Sequence, residues 1–287
     1  MPELARGLTT LAYFPCYGLG VRNLVIGIHG LSNKPPKEAL EHQWLAAMGD
    51  GLSKYSLKTD SAFEFRLAYW ADLRYPEPSD TWPADLAQGS PGPAYQPRRL
   101  DGLRIRAIAK MVPMWDRIRG LLPDSLSLRL MNRYLRDQVP DLIAYWQHPD
   151  TRKAISTRLQ RELEPGRKTL VIAHSMGSIV AYDVLLSSLE GLVADVEALI
   201  TIGSPLGLPS VWHQSPHGLR YPPVRAWRNF SDPEDYVAAN PWIPLNGVRN
   251  QLIWNSYRTP SGARNPHKSF GYLRSPEVAE AVWEFLT

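Results

Sequence analysis

One cysteine, Cys16, stands in a chain of 287 residues, which excludes an intrachain disulfide framework. Long apolar runs are also missing. No window approaches the ~20 residues of a membrane-spanning helix, and Met1-Pro2-Glu3 leads into too short an apolar stretch for a signal peptide. A soluble, cytoplasmic protein is the expectation. Charge of one sign is scarce as well: 32 Lys and Arg face 28 Asp and Glu, a net charge of +4, too small to call for nucleic acid. The sequence carries no zinc spacing, no metal-ligand cluster and no phosphate-cradling glycine loop. No cofactor and no metal are therefore expected, and no internal repeat or low-complexity tail is visible.

Hydrophobic residues make up 44% of the chain, enough for a sizeable core. The 26 prolines are about twice the usual share, so much of the chain must be loop, turn or short helix. The stretches Asn23–Ile28, Thr169–Ile172, Val196–Ile202, Val224–Phe230 and Gln251–Tyr257, and the alternating Phe63–Trp70, read as strands. Leu40, Trp44, Leu45, Met48 and Leu52 recur at helical spacing between Lys37 and Tyr55. Ser178–Leu186 reads as a second helix. Pro276–Leu286 reads as a third, with Ser275 as N-cap and Pro276 in its first turn. Strands alternating with helices predict an α/β fold with a mostly parallel central sheet flanked by helices.

The alternation breaks in the middle. Pro76, Pro78, Pro83, Pro91, Pro93 and Pro97 open an irregular excursion, followed by helical patterns at 100–112, 114–122, 126–146 and 155–163. A connection of that length needs its own packing or a task. Residues 1–74 and 164–287 are thus expected to form the core, and 75–163 an inserted, mostly helical cap or lid. The cap interleaves Leu103, Ile105, Ile108, Met111 and Trp115 with Arg98, Arg99, Arg104, Arg106 and Lys110. One reading is an amphipathic helix pair packed on the core with a solvated basic face. The other is a lid whose basic face makes transient contact with a membrane surface or an acyl carrier. The oligomeric state is not legible.

Ala173-His174-Ser175-Met176-Gly177 sits between an apolar strand and an apolar helix. A serine at such a corner stands on a sharp turn with its hydroxyl pushed outward, and small residues two before and two after it prevent clashes. A serine hydroxyl is a weak nucleophile that needs a histidine to take its proton and a carboxylate to orient that histidine. His267 lies in a loop between the last strand and the last helix, a place from which an imidazole can reach the serine. Asp235, at the end of the fifth strand, is the preferred acid, with Asp232 as the alternate. The N–H of Met176, opening the helix after the serine, and that of Leu31, after His29-Gly30, are the candidate donors to a developing oxyanion.

Taken together, Ile28-His29-Gly30-Leu31, Ala173-His174-Ser175-Met176-Gly177, Ile202-Gly203-Ser204-Pro205-Leu206-Gly207, the stretch Asn229–Val237 and His267 resemble the α/β-hydrolase family, in particular its lipase/esterase-like branch. The resemblance covers the core from about residue 23 onward and not the cap. It implies the α/β-hydrolase fold, the chain order Ser175, Asp235, His267 and a substrate bordered by His29, Gly30, His174 and Leu206. The expected activity is hydrolysis of a small-molecule or lipid-like acyl ester through an acyl-enzyme. Two alternatives stay open: a thioesterase or acyltransferase using the same three residues, and a non-catalytic binding protein on the same fold.

Overall fold

The computed structural model describes residues 23–57, 63–79, 140–187, 196–212, 214–235, 237–238, 240–259 and 262–287. Most of the expected cap, residues 80–139 with the helical patterns at 100–112 and 114–122, lies outside the described residues.

Six parallel strands form one sheet: β1 (Asn23–Ile28), β2 (Phe63–Ala68), β3 (Thr169–His174), β4 (Val196–Ile202), β5 (Ala226–Ser231) and β6 (Val248–Leu252), in the order β2-β1-β3-β4-β5-β6. The helices are α1 (Lys37–Lys54), α2 (Pro140–Gln147), α3 (Pro149–Gln160), α4 (Met176–Ser187), α5 (Pro209–Trp212), α6 (Ser269–Leu273) and α7 (Pro276–Leu286).

Both faces of the sheet are covered, which is why the central strands β1 and β3 read as near-continuous apolar runs. Leu24, Ile26, Ile28, Val171 and Ala173 point into one buried cluster with Tyr145 of α2, Ile155 and Leu159 of α3, and Ile179 and Val180 of α4. Val25, Leu170 and Ile172 point into the other, with Leu40, Trp44 and Met48 of α1, Phe270 of α6 and Val282 of α7. Gly27 is what lets α1 lie so close: a Cβ there would stand 2.8 Å from the Trp44 ring and 2.9 Å from that of Phe65. The Ser275 hydroxyl caps α7 by accepting from Val278 N–H, with Pro276 in the first turn.

One strand departs from its expected place. The expected run Gln251–Tyr257 overlaps β6 only at Gln251 and Leu252. After Ile253, whose N–H donates to Ser231 O, the chain leaves the ladder. Asn255 takes over: its N–H goes to Asp232 Oδ2 and its side-chain amide to the carbonyls of Pro266 and Lys268, at 2.7–2.9 Å. An apolar run of this kind gives no sign that a buried asparagine will end the strand.

The strand order reverses between β1 and β3. Connections from β1 run toward β2 on one side, and those from β3 run toward β4 on the other. In open parallel sheets the crevice beyond the carboxyl ends at such a switch point is where ligands bind. Here that crevice lies between His29-Gly30-Leu31, which follow β1, and Ser175, which follows β3.

Candidate active site

Ser175 is the sharp point between β3 and α4. Its φ is +54°, a left-handed conformation that costs a non-glycine residue about 1 kcal/mol or more. The turn is over-determined. Ser175 N–H donates to Ile202 O, and Ser178 Oγ donates to Ser175 O and meets Ser204 Oγ at 2.7 Å. Gly177 brings α4 against the end of β1: a Cβ there would lie 2.6 Å from Ile28 O and 2.7 Å from His29 O.

The loop after β6 brings His267 over this point. Its Nε2 lies 3.0 Å from Ser175 Oγ, and its Nδ1 lies 3.0 and 2.9 Å from the two oxygens of Asp235. Asp235 Oδ1 also accepts from Val237 N–H at 2.9 Å and Ala238 N–H at 3.3 Å. Its Oδ2 accepts from the Tyr272 hydroxyl at 2.7 Å. Gly203, with φ +56°, gives the assembly room: a Cβ there would fall 2.9 Å from Asp235 Oδ2 and 3.2 Å from His267 Nδ1.

Asp232, the alternate acid, makes no contact with His267 among those described. Its carboxylate accepts from the N–H groups of Glu234 and Asn255, at 2.8 and 2.7 Å, and pairs with Arg264. Arg264 also binds Glu234 and the Asn255 carbonyl and lies over the Trp254 ring. Asp232 therefore ties the strand-end turn to the loop that carries His267. Burial pushes its pKa up to about 6, against the pull of those donors.

The first strand end is equally constrained. Gly30 lies against the serine, where a Cβ would stand 2.7 Å from Ser175 Cβ. His29 Nδ1 donates to Gly30 O at 2.8 Å, and Nε2 accepts from Trp70 N–H at 3.1 Å. These partners assign the tautomer. They also turn the Gly30–Leu31 peptide so that its N–H points away from His29. On the next peptide, Ser32 N–H donates to Asp141 of α2 at 2.8 Å, and the Lys34 ammonium donates to the carbonyls of Leu31 and Ser32. Among the described residues, neither Leu31 N–H nor Met176 N–H has a protein acceptor, so both remain available to a ligand oxygen.

Three of the expected substrate contacts have other tasks. His29 is buried with both ring nitrogens engaged, and so shapes the strand end. His174 does not point away from the serine's partner: its ring lies 4.8 Å from that of His267, and its Nε2 donates to His267 O at 2.8 Å. Leu206 is packed in the core, with its N–H on Ser204 Oγ. Sequence reasoning missed Tyr272, Trp70 and Asp141, which reach the site from other elements. A cavity of ≈ 340 Å³ lined by Tyr69, Tyr75, Lys37, Arg158 and Glu162 does not include Ser175.

Two consequences are measurable. Burial lowers the His29 pKa to about 3, and burial with the nearby His267 charge lowers that of His174 well below its ordinary value. Unfolded histidines take up protons near pH 6.5, whereas these stay neutral in the fold. For His29 the unfolded state thus binds more protons between pH 6.5 and 3, and stability falls as pH drops through that window, by about 1.4 kcal/mol per unit; His174 acts in the same sense. Asp232, raised from 3.8 to about 6, acts in the opposite sense between those values and opposes part of this fall. Thermal unfolding between pH 7 and 4 should show a falling midpoint, and a flat profile contradicts it.

Tyr272 provides the second. Burial, and then the charge on Asp235, hold its phenol protonated, so it donates to the carboxylate that faces His267. Tyr272→Phe removes that donor and leaves more negative charge to favour the imidazolium. The acidic limb of the pH–rate profile should move to higher pH, with kcat reduced about tenfold or less. An unmoved limb contradicts the tyrosine's influence on the pair.

Among the described residues no group of His, Cys, Asp and Glu could hold a metal ion, and no helix is long and apolar enough to cross a membrane. No family model, curated protein or solved structure matches the chain.

Proposed function

We propose that the chain is a serine hydrolase of the α/β-hydrolase type, lipase/esterase-like, which cleaves a carboxylic acyl ester through a Ser175–His267–Asp235 triad. The observation that carries this reading is the continuous contact from Ser175 Oγ through the His267 ring to the Asp235 carboxylate, at 3.0 and 2.9 Å. A nucleophile, base and orienting acid in hydrogen-bond series are what acyl transfer by serine requires.

The reaction follows from those roles. His267 Nε2 accepts the Ser175 proton as Oγ attacks the acyl carbon. The carbonyl oxygen, now an oxyanion, is met by the N–H groups of Met176 and Leu31, the first of which opens α4 and adds the helix's positive end. Asp235 stabilises the imidazolium. His267 then protonates the departing alkoxide, leaving an acyl-serine and an alcohol. Water enters, gives a proton to His267 and attacks the acyl carbon, and the carboxylic acid leaves as Ser175 recovers its proton.

The test is a panel of p-nitrophenyl esters of rising acyl length, run beside Ser175→Ala. Turnover with a chain-length optimum, lost in the variant, supports the reading. Equal rates in the two proteins would falsify it.

A further inference from the structure

Leu31 N–H is a loop amide, and its aim depends on how the loop is held. Two peptide planes meet at the Leu31 Cα, and each turns as a unit, with C=O and N–H at opposite ends. Of the four polar ends, three have partners. Gly30 O accepts from His29 Nδ1 at 2.8 Å, Leu31 O accepts from the Lys34 ammonium, and Ser32 N–H donates to Asp141 Oδ2 at 2.8 Å. The fourth end is Leu31 N–H itself.

The Leu31–Ser32 plane thus lies between opposite charges, a cation at its oxygen and a carboxylate at its hydrogen. Both contacts are charge-assisted, and both complement the dipole of the peptide. The loop needs such a grip. Ser32 has φ +72°, a left-handed conformation that costs a non-glycine residue about 1 kcal/mol or more and persists where its surroundings over-determine it. The same two side chains do so: Asp141 holds the Ser32 N–H, and Lys34 holds the Ser32 C=O at 3.0 Å. Asp141 is buried in the first turn of α2. The Tyr75 hydroxyl, 3.0 and 3.1 Å from its two oxygens, and Arg74 Nε, at 3.4 Å, fix that carboxylate in turn.

Resting on the hydrolase reading, we infer that Asp141 and Lys34 are positioning residues for the reaction: by gripping the Leu31–Ser32 peptide from both ends, they keep the Leu31 N–H aimed at the oxyanion. A carboxylate from the stretch 75–163 thereby acts on the catalytic turn. With either contact gone, Ser32 is free to leave its left-handed turn, and the neighbouring Leu31 N–H loses its aim.

The test pairs the p-nitrophenyl ester that turns over fastest with its thiono analogue, in which C=S replaces C=O. Sulfur is a weak acceptor, so the kcat/KM ratio of oxygen over sulfur compound, set against the same ratio for hydroxide, reads the oxyanion donors. In the wild type it should exceed the hydroxide value by about tenfold or more. Asp141→Ala and Lys34→Met should each lower kcat by about 10- to 100-fold, at most the loss of a whole donor. KM should stay within about threefold, and the ratio should move severalfold toward the hydroxide value. Asp141→Asn, which keeps an oxygen for the Ser32 N–H, should retain most of both. Charge alone predicts the opposite for one variant, since removing a carboxylate near a developing anion raises kcat.

A kcat that rises in Asp141→Ala, or a ratio that neither Asp141→Ala nor Lys34→Met moves, overturns the inference and leaves Ser175 as nucleophile. So does a wild-type ratio equal to that of hydroxide. If Asp141→Ala does not fold, Lys34→Met, at a half-buried side chain, decides alone. Absence of Ser175-dependent turnover of both compounds by the wild type removes the hydrolase reading, and this inference with it.

Discussion

Ser175→Ala lowers kcat/KM toward every ester in the panel by about 10⁴-fold or more, while the protein still folds. The size follows from what is removed. The oxyanion donors and the imidazole remain, but the hydroxyl that meets His267 Nε2 at 3.0 Å is gone, so the acyl-enzyme route closes and only the residual effect of binding and the donors survives. The fold tolerates the change because alanine keeps the Cβ that already occupies the left-handed turn at φ +54°. The stability loss should be limited to one hydrogen bond, about 1 kcal/mol. Assay of purified wild type and variant, with thermal unfolding of both, checks the two halves together. A variant that unfolds, or that retains within tenfold of the wild-type rate, contradicts this assignment.

Asp235→Asn and Asp232→Asn separate the preferred acid from its alternate. At 235, an amide in place of the carboxylate can present an N–H to His267 Nδ1. The imidazole then carries its proton on Nε2, where it cannot accept one from Ser175, and the rate should fall by about 10³- to 10⁴-fold at nearly unchanged stability. At 232 the loss is of another kind. Its side chain is fully buried against Arg264, and breaking a buried ion pair costs about 3–5 kcal/mol. The Asp232→Asn protein should therefore unfold at a lower temperature, yet retain kcat within about tenfold where it is folded. Paired kinetics and unfolding curves read both. The reverse pattern, with activity lost at 232 and stability at 235, transfers the triad acid to Asp232.

Why the sequence could prefer Asp235 yet not dismiss Asp232 is instructive. Both follow β5 within four residues, and strand-end position alone favours Asp232, the nearer of the two. What decides is Asn255 and Arg264, more than twenty residues later, which claim Asp232 for the loop junction and leave Asp235 to His267. The same asparagine ends β6 early, so the displaced strand and the open choice of acid have one cause. The elements that could be read directly were those whose signal is local: β1, α1, β3, β4 and α7 carry continuous apolar runs, helical spacing or a serine-proline cap. The serine turn was legible because its small neighbours are adjacent to it.

Contacts made across the fold were not legible. Tyr272 sits on a five-residue helix, α6, that was read as loop, and its hydroxyl reaches Asp235 only after the sheet has assembled. The resemblance implied that His29 and His174 border the substrate. His29, buried, accepts from Trp70 N–H, and His174, half-buried, donates to His267 O, so both act as struts. Strand order was equally out of reach. It follows from which crossovers pack on which face, and it is what places Leu31 opposite Ser175.

The most direct measurement is mass spectrometry of the intact protein and its peptides after exposure to a fluorophosphonate ester. An activated serine displaces fluoride and keeps the phosphonyl group. The account predicts a single adduct, on the peptide that contains Ser175, absent from Ser175→Ala and formed far more slowly by His267→Ala. A folded wild-type protein that takes up no adduct, or carries it on another residue, contradicts it.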